Sequence, residues 1–175
     1  MKNTTITVIM TATILIAGCG KKSPGSSATP PPAQAGASSS SSVMQPVLTA
    51  WQQGDKAAAI SSFLAADWSA RPLFATGSTL SLSEDQFKAL SRADHFAKSK
   101  EGVKQLDSLE DLAAAVEQAG HDAVSKGDVP QARKYFTSLK QCGVALDSAD
   151  HLILVQIVGK LMKSKADTEL SKIGQ

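Results

Sequence analysis

The sequence from Val43 to Gln175 predicts an all-α domain of stacked helical hairpins with a closing C-terminal helix. Two observations support this prediction. First, residues of high helix propensity (Ala, Leu, Lys, Gln and Glu) are common, whereas runs of β-branched residues are scarce. Second, two segments each contain a Gly-Asp pair followed by apolar residues at helical spacing. The residues before Val43 have a different composition, which predicts a different role for them.

The first 18 residues have the three parts of a secretory signal peptide. These are a positive start at Lys2, an apolar stretch from Ile6 to Leu15, and the small residues Ala17 and Gly18. A helix that spans a bilayer needs about 20 consecutive apolar residues, and this stretch is shorter. We therefore predict that residues 1–18 form an export signal that is removed.

Residues 15–19, with the sequence LIAGC, resemble the lipobox of bacterial lipoproteins, in which an aliphatic residue and two small residues precede a cysteine. The resemblance implies cleavage before Cys19 and lipidation of its thiol and new amino group. Several acyl chains anchor a protein stably, whereas one chain does so only marginally. An ordinary cleaved signal with a chance cysteine is the alternative. Gly20 follows the cysteine, which by the sorting rule of enteric bacteria implies the outer membrane, facing the periplasm.

Residues 19–42 are predicted to form the lipidated cysteine and a disordered tether. Ser, Pro, Ala and Gly fill nearly every position after the cysteine, and no large apolar side chain offsets the entropy cost of ordering. For ~23 residues, flexible-coil scaling predicts a root-mean-square reach on the order of 25 to 30 Å. A tether of this reach lifts the domain from Val43 to Gln175 clear of the lipid headgroups.

The charge of the chain is unevenly distributed. Its formal net charge is +2, but Lys2, Lys21 and Lys22 precede residue 43, whereas all 16 acidic residues follow it. The domain is therefore nearly neutral. It has no basic patch of the kind that binds nucleic acid, so nucleic acid is not an expected partner. The expected partners are the membrane, through lipid on Cys19, and an envelope protein.

The two Gly-Asp segments match each other when Gly54 is aligned with Gly127. In both, Asp follows the glycine, an alanine lies five residues after it and a phenylalanine nine residues after it. These residues resemble the tetratricopeptide repeat, in which a small residue allows close helix packing and a later alanine and aromatic fill the space between helices. The matching positions are Gly54, Asp55, Ala59 and Phe63 in the first block, and Gly120, Gly127, Asp128, Ala132 and Phe136 in the second.

The blocks also differ from each other and from the family. The first block has Val47 in place of Gly120, with Pro46 before it, which predicts a shortened first helix. In the second block, Gly127 and Pro130 predict a helix end and a new first turn. Neither block has the closing proline of the family, and a long insertion separates them. A bundle unrelated to the family, with two similar hairpins, is the alternative.

The segment between the blocks begins with Trp68 to Ser81, which is predicted to be an irregular loop. Loops of this length are often functional. Its apolar residues either fold back into the core or form a partner-binding surface, and both interpretations stay open: Trp68, Leu73 and Phe74.

Two serines after this loop predict helix starts. Ser83 with Gln86 forms a capping-box pattern that opens a helix to about Lys98. Ser108 with Asp111 is a looser version of the pattern and predicts the start of the next helix.

The final helix is predicted to start near Ser148 or Asp150 and to run to about Ile173. Gly159 permits the close approach of a neighbouring helix. The first half has few polar positions, so we expect it to be buried on most sides. Its apolar residues are Leu152, Ile153, Leu154, Val155, Ile157, Val158, Leu161 and Met162.

Three His-Asp neighbours are candidate zinc ligands: Asp94-His95, His121-Asp122 and Asp150-His151. Adjacent residues on a helix point in different directions, which favours solvated surface or helix capping instead. We therefore expect no metal and no cofactor. Cys142 has no partner once Cys19 is lipidated, and we predict that it is buried rather than reactive.

The sequence contains no nucleophile elbow, phosphate-binding loop, zinc-protease pair or calcium loop, so we expect that the protein is not an enzyme. The expected function is that of a membrane-anchored envelope lipoprotein acting as a non-catalytic protein-interaction or scaffold module. The alternative is an envelope ligand- or metal-binding protein, or an enzyme, with a site built from dispersed residues. A fold of stacked hairpins with a concave groove lined by polar and aromatic residues favours the first function, and a deep pocket that collects the three histidines favours the second.

Overall fold

The computed structural model of the protein describes residues 42–174. This part of the chain contains six α-helices, a short 3₁₀ turn and no strand, which confirms the predicted all-α fold. None of these helices is both long and apolar enough to cross a membrane. The predicted signal peptide, Cys19 and the tether up to residue 41 lie outside the described residues. The helices are α1 (Met44–Gln52), α2 (Lys56–Ala65), α3 (Glu84–Lys88), α4 (Arg92–Ser125), α5 (Val129–Leu146) and α6 (Ile153–Lys172).

Two hairpins, α1–α2 and α4–α5, turn at the two Gly-Asp pairs. Gly54 and Gly127 have φ values of 80° and 76°, a conformation that glycine adopts without steric cost. The side chains of Asp55 and Asp128 each accept a hydrogen bond, 3.0 Å long, from the backbone N–H three residues later, and so cap α2 and α5. The predicted helix end and new first turn of the second block are confirmed, with Pro130 in the first turn of α5.

The alanine and phenylalanine of each block lie in the core. Phe63 and Phe136 are both fully buried. Phe136 packs so close to Gly120 on α4 that a methyl group on this glycine would lie 2.6 Å from the ring. Gly120 therefore allows α4 and α5 to approach each other, as predicted. In the first hairpin the larger Val47 takes this place and is itself buried; α1 is only 9 residues long, as its sequence predicts.

α5 and α6 pack backbone against backbone. A methyl group on Gly143 or on Gly159 would lie 2.7 Å from the carbonyl oxygen of the other glycine, so the predicted close approach at Gly159 is confirmed. Cys142 lies next to this contact, is fully buried, and has no disulfide partner in the described residues. Burial raises the pKa of its thiol. The predicted burial of Cys142 is therefore confirmed.

The helix predicted from Ser83 to about Lys98 is in fact two helices. The capping box of Ser83 and Gln86 is present, but α3 ends after five residues. A second N-cap interrupts the helix, since the Ser91 hydroxyl accepts a hydrogen bond from the Asp94 N–H. The prediction of one continuous helix is wrong because Ser91 supplies a new start at this point.

The helix start predicted at Ser108 is also wrong. α4 runs without a break for 34 residues, and Ser108 lies in its interior. Its hydroxyl donates a hydrogen bond to the Lys104 carbonyl oxygen four residues earlier, which is how an interior serine satisfies its hydroxyl. A serine followed three residues later by an acid has the same spacing inside a helix as at its start, so the pattern alone does not separate the two cases.

The loop after α2 folds back against the helices. Trp68, Leu73 and Phe74 are at most 5% exposed. The Trp68 Nε1–H donates to the Ser138 hydroxyl on α5, and this hydroxyl donates to the Phe63 carbonyl oxygen. The interpretation of these residues as core is confirmed. Side chains buried to this degree offer little surface to a partner, so their burial favours the core interpretation over the partner-binding one.

α6 begins at Ile153, later than predicted, and its burial differs from expectation. One side faces α5 and the core through Val155, Val158, Met162 and Ala166. The opposite side is open, with four large aliphatic residues that are 46% to 57% exposed: Ile153, Leu154, Ile157 and Leu161. The prediction of burial on most sides is wrong, because no other described element covers this face.

Candidate partner-binding groove

A groove lies between α4 and α6, the outer helices of the α4–α5–α6 bundle. α5 runs antiparallel to both neighbours because short connections join it to each, so α4 and α6 run parallel. Two contacts across the groove share one register: Glu117 to Lys165 at 3.1 Å and, one helical turn later, His121 to Glu169 at 3.7 Å. We call this channel the α4–α6 groove.

The end of the groove near the start of α6 is apolar. Val103 and Leu154 face it and are both more than half exposed. Phe96 lies two helical turns before Val103 on the same face of α4 and is 77% exposed. Exposed apolar patches of this kind mark interaction sites on soluble proteins. A cavity of about 200 Å³ at this end is lined by Leu80, Phe87, Val103, Leu106, Leu152, Ile153 and Leu154, among others.

The middle of the groove has an acidic wall and an apolar wall. A cavity of about 350 Å³ here is lined by Glu110 and Asp111 on α4 and by Leu161 and Met162 on α6. Neither Glu110 nor Asp111 forms an ion pair within residues 42–174. Residues 105–125 contain no lysine or arginine, one histidine (His121) and five acids: Asp107, Glu110, Asp111, Glu117 and Asp122.

The far end of the groove is closed by charged side chains. Lys165 reaches across from α6 to Glu117, and Glu169 contacts both His121 and Lys172. Exposed ion pairs of this kind add little stability, but they fill the space between the two helices. The open length of the groove therefore runs from the level of Val103 to the level of Leu161, and Phe96 continues the same face of α4 beyond the start of α6.

The three histidines lie in three different environments. His95 stacks on Phe87 with ring centroids 4.3 Å apart, His121 lies between α4 and α6 at the closed end of the groove, and His151 packs edge-on against Phe74 at 5.6 Å. No group of three metal-binding side chains is found among residues 42–174. The arrangement that would favour the metal-binding alternative is thus missing from the described residues.

His151 is the one buried histidine of the described part. Neither of its ring nitrogens has a hydrogen-bond partner there. Burial lowers the pKa of its imidazole, and the positive charge of nearby Arg71 lowers it further, while Asp150 opposes this. The neutral ring is therefore the favoured form in the fold.

A second concavity lies beside Trp68, the only one of the three predicted partner-binding residues that reaches it. Its other lining residues include Arg71 on the loop and Lys140 and Val144 on α5. Lys140 is paired with Asp167 at 2.7 Å. Trp68 is only 5% exposed, so it offers little surface to this concavity.

The sequence does not predict the residues that line the α4–α6 groove as a site. The number of apolar residues in α6 predicts burial rather than an exposed surface. A helix in contact with one neighbour needs a single apolar stripe. α6 has one such apolar stripe on its core side. It has a second set of apolar residues, Ile153, Ile157 and Leu161, on an exposed face. This surplus, together with Phe96 in an otherwise polar segment, is the signal that indicates an exposed apolar surface.

Comparison of the chain with protein-family models, with curated proteins and with solved structures finds no match.

Proposed function

We propose that the protein is a bacterial envelope lipoprotein anchored by lipid on Cys19, and that its helical domain is a non-catalytic interaction module. In this proposal the α4–α6 groove binds a helix of an envelope protein. The observation that carries it is the open apolar face of α6, where Ile153, Leu154, Ile157 and Leu161 are about half exposed. An apolar surface this large costs free energy in water, and that cost is recovered when a partner covers it.

The predicted anchor and tether fit a module of this type. A flexible tether of ~23 residues with a reach on the order of 25 to 30 Å keeps the domain near the membrane while allowing it to rotate. Confinement raises the effective concentration of a partner held in the same membrane. The expected position is the outer membrane, with the domain facing the periplasm.

The anchor is tested by metabolic labelling of the full-length protein with a radioactive or clickable palmitate. We expect label in the membrane fraction on a mature chain that begins at residue 19. Cys19→Ser should lose both the label and the cleavage, because no thiol is left to accept the lipid. A processed, unlabelled protein released to the soluble fraction would refute the lipoprotein assignment.

The binding role is tested in cells by placing a photo-reactive amino acid at Leu161 of the full-length protein. The matched control is the same substitution at Val144, an apolar residue on α5 that is 54% exposed and lies outside the groove. We expect an adduct with one envelope protein from Leu161 only, lost when Ile157 is changed to Glu. Equal adducts from both positions, or none from Leu161, would contradict the proposal.

A further inference from the structure

We propose that the occupant of the α4–α6 groove is an amphipathic helix of a partner protein, with Lys or Arg flanking its apolar stripe, that runs antiparallel to α4 and α6. This inference rests on the proposed function, in which the groove binds a protein helix. It adds the charge, the apolar spacing and the direction of that helix.

The direction follows from the topology of the bundle. α4 and α6 are parallel, and α5 is antiparallel to both and lies on one side of them. A fourth helix in the groove, antiparallel to α4 and α6, completes an up-down four-helix bundle. Its positive N-terminal end then lies near the negative C-terminal ends of α4 and α6, which favours this direction over the opposite one.

The apolar spacing follows from the two exposed rows. On α6, Ile153, Ile157 and Leu161 are separated by four residues each and lie on one face. On α4, Phe96 and Val103 are separated by seven residues, again on one face. The Glu117–Lys165 and His121–Glu169 contacts place Ile153 level with residue 105 of α4, so the α4 row lies before the α6 row along the groove. A helix that covers both rows continues apolar residues at positions i, i+3 or i+4, and i+7 over about 18 residues.

The charge follows from the acidic wall of α4. Lys165 of α6 already neutralises Glu117, but Glu110 and Asp111 line the open part of the groove without an ion pair in the described residues. An apolar helix lying beside them removes water from these carboxylates, which is costly unless a cation replaces it. Basic residues next to the apolar stripe supply that cation.

Other occupants fit this surface less well. Residues 20–41 of the same chain have prolines and serines and no apolar helical pattern. An acyl chain has no cation to offer Glu110 and Asp111. An anionic membrane surface has no cation to offer Glu110 and Asp111, the two acids that line the open part of the groove without an ion pair in the described residues.

The test uses two synthetic helical peptides with the same leucine stripe, one flanked by lysines and the other by glutamates. Binding is measured by fluorescence anisotropy to the full-length lipidated protein in nanodiscs of neutral phosphatidylcholine, with empty nanodiscs as the blank. We expect the lysine peptide to bind at least about tenfold more tightly than the glutamate peptide, a preference that weakens as salt is raised.

Variants separate the groove from other surfaces. Glu110→Lys combined with Asp111→Lys should reverse the preference between the peptides, whereas Asp122→Lys, three helical turns after Asp111 and past the closed end of the groove, should leave it unchanged. Leu161→Glu and Ile157→Glu should each weaken binding of both peptides by about tenfold or more. Val144→Glu, outside the groove, is the control for a general effect of adding an acid. All six positions are partly or fully exposed in α4, α5 or α6, and circular dichroism checks that each variant is folded.

The outcomes distinguish this inference from the proposed function. If both peptides bind equally and Leu161→Glu weakens both, the groove binds helices without charge selection, so this inference fails and the proposed function stands. If neither peptide binds and Leu161 gives no adduct in cells, both fail. A concentration-dependent dimer that Leu161→Glu abolishes would assign the groove to a second copy of this chain and overturn the inference.

Discussion

The two hairpins of the domain turn in the same way but differ in the length of the helices that they join. At both turns the glycine N–H donates to a carbonyl oxygen three residues earlier, and the next aspartate N–H donates to one five residues earlier, with all four distances between 2.9 and 3.0 Å. Yet α1 and α2 have 9 and 10 residues, whereas α4 and α5 have 34 and 18. The same turn sequence therefore joins the helices of a short hairpin, which contributes only to the core, and of a long hairpin, whose α4 also forms one wall of the α4–α6 groove.

The difference comes from what each helix meets along its length. α1 and α2 pack mainly against each other; both also contact α4, and α2 contacts α5. α4 continues well beyond α5 at its N-terminal end, and residues 92–97 there are exposed. The extended part of α4 and the uncovered face of α6 supply the apolar rows of the α4–α6 groove. The first hairpin lacks such a surplus.

The largest expected effect tests whether the two hairpins belong to one core. Phe63→Ala and Phe136→Ala should each lower the free energy of unfolding by about 3 to 5 kcal/mol, because each removes a fully buried ring. Urea unfolding followed by circular dichroism measures this. Phe96→Ala, at a 77% exposed position, is the control and should change stability by less than about 0.5 kcal/mol. Two separate transitions in either variant would show that the hairpins unfold independently.

The next effect tests the unbroken length of α4. Ser108→Pro should cost about 3 kcal/mol, because a proline in a helix interior removes a backbone hydrogen bond and clashes with the preceding turn. Arg92→Pro, at the first position of α4, should be tolerated, since that N–H has no partner in the helix. The measurement is the same urea titration. A mild effect of Ser108→Pro would mean that a helix begins there after all.

A smaller and equal effect is expected at the two turns. Gly54→Ala and Gly127→Ala should each cost about 1 to 2 kcal/mol, because a side chain destabilises the left-handed conformation of both residues. Neither position has an atom within 4 Å of the added methyl group, so conformation alone sets the cost. Asn at either position should cost less than Ala. Unequal losses at the two glycines would show that the turns are not equivalent.

The smallest effect is expected at His151, in the connection between α5 and α6. Its ring packs against Phe74, in the loop that follows α2. The pKa of this histidine is lowered in the fold, so the folded state disfavours the protonated ring. The contribution of His151 to the free energy of unfolding is fully present above the unfolded pKa of about 6.5, and it decreases as the pH falls below that value. Comparison of Tm at pH 7.5 and 5.5 should show a smaller decrease for His151→Leu than for the natural protein. An identical decrease would exclude this histidine as a source of acid sensitivity.

The elements that could be predicted from sequence share one property. Gly54 and Gly127, the aspartate caps after them, the Ser83 capping box and the apolar spacing that includes Phe63 and Phe136 all depend on residues within a few positions along one helix or turn. The predicted helix start at Ser108 failed under the same logic, because an interior serine has the same neighbours in sequence as a capping serine.

By itself, the sequence determined the helical class, the two hairpin turns and the core-facing alanine and phenylalanine of α2 and α5, because propensity, caps and apolar period are local properties. It also contains the lipobox-like segment that ends at Cys19, on which the proposed anchor depends. Only the tertiary structure decided that Trp68, Leu73 and Phe74 are core, that α4 is continuous, and that the second apolar face of α6 is open. Whether an apolar residue is buried depends on which helix lies opposite to it. That is set by the packing of α4, α5 and α6 around Gly120, Gly143 and Gly159, which places residues far apart in sequence in contact.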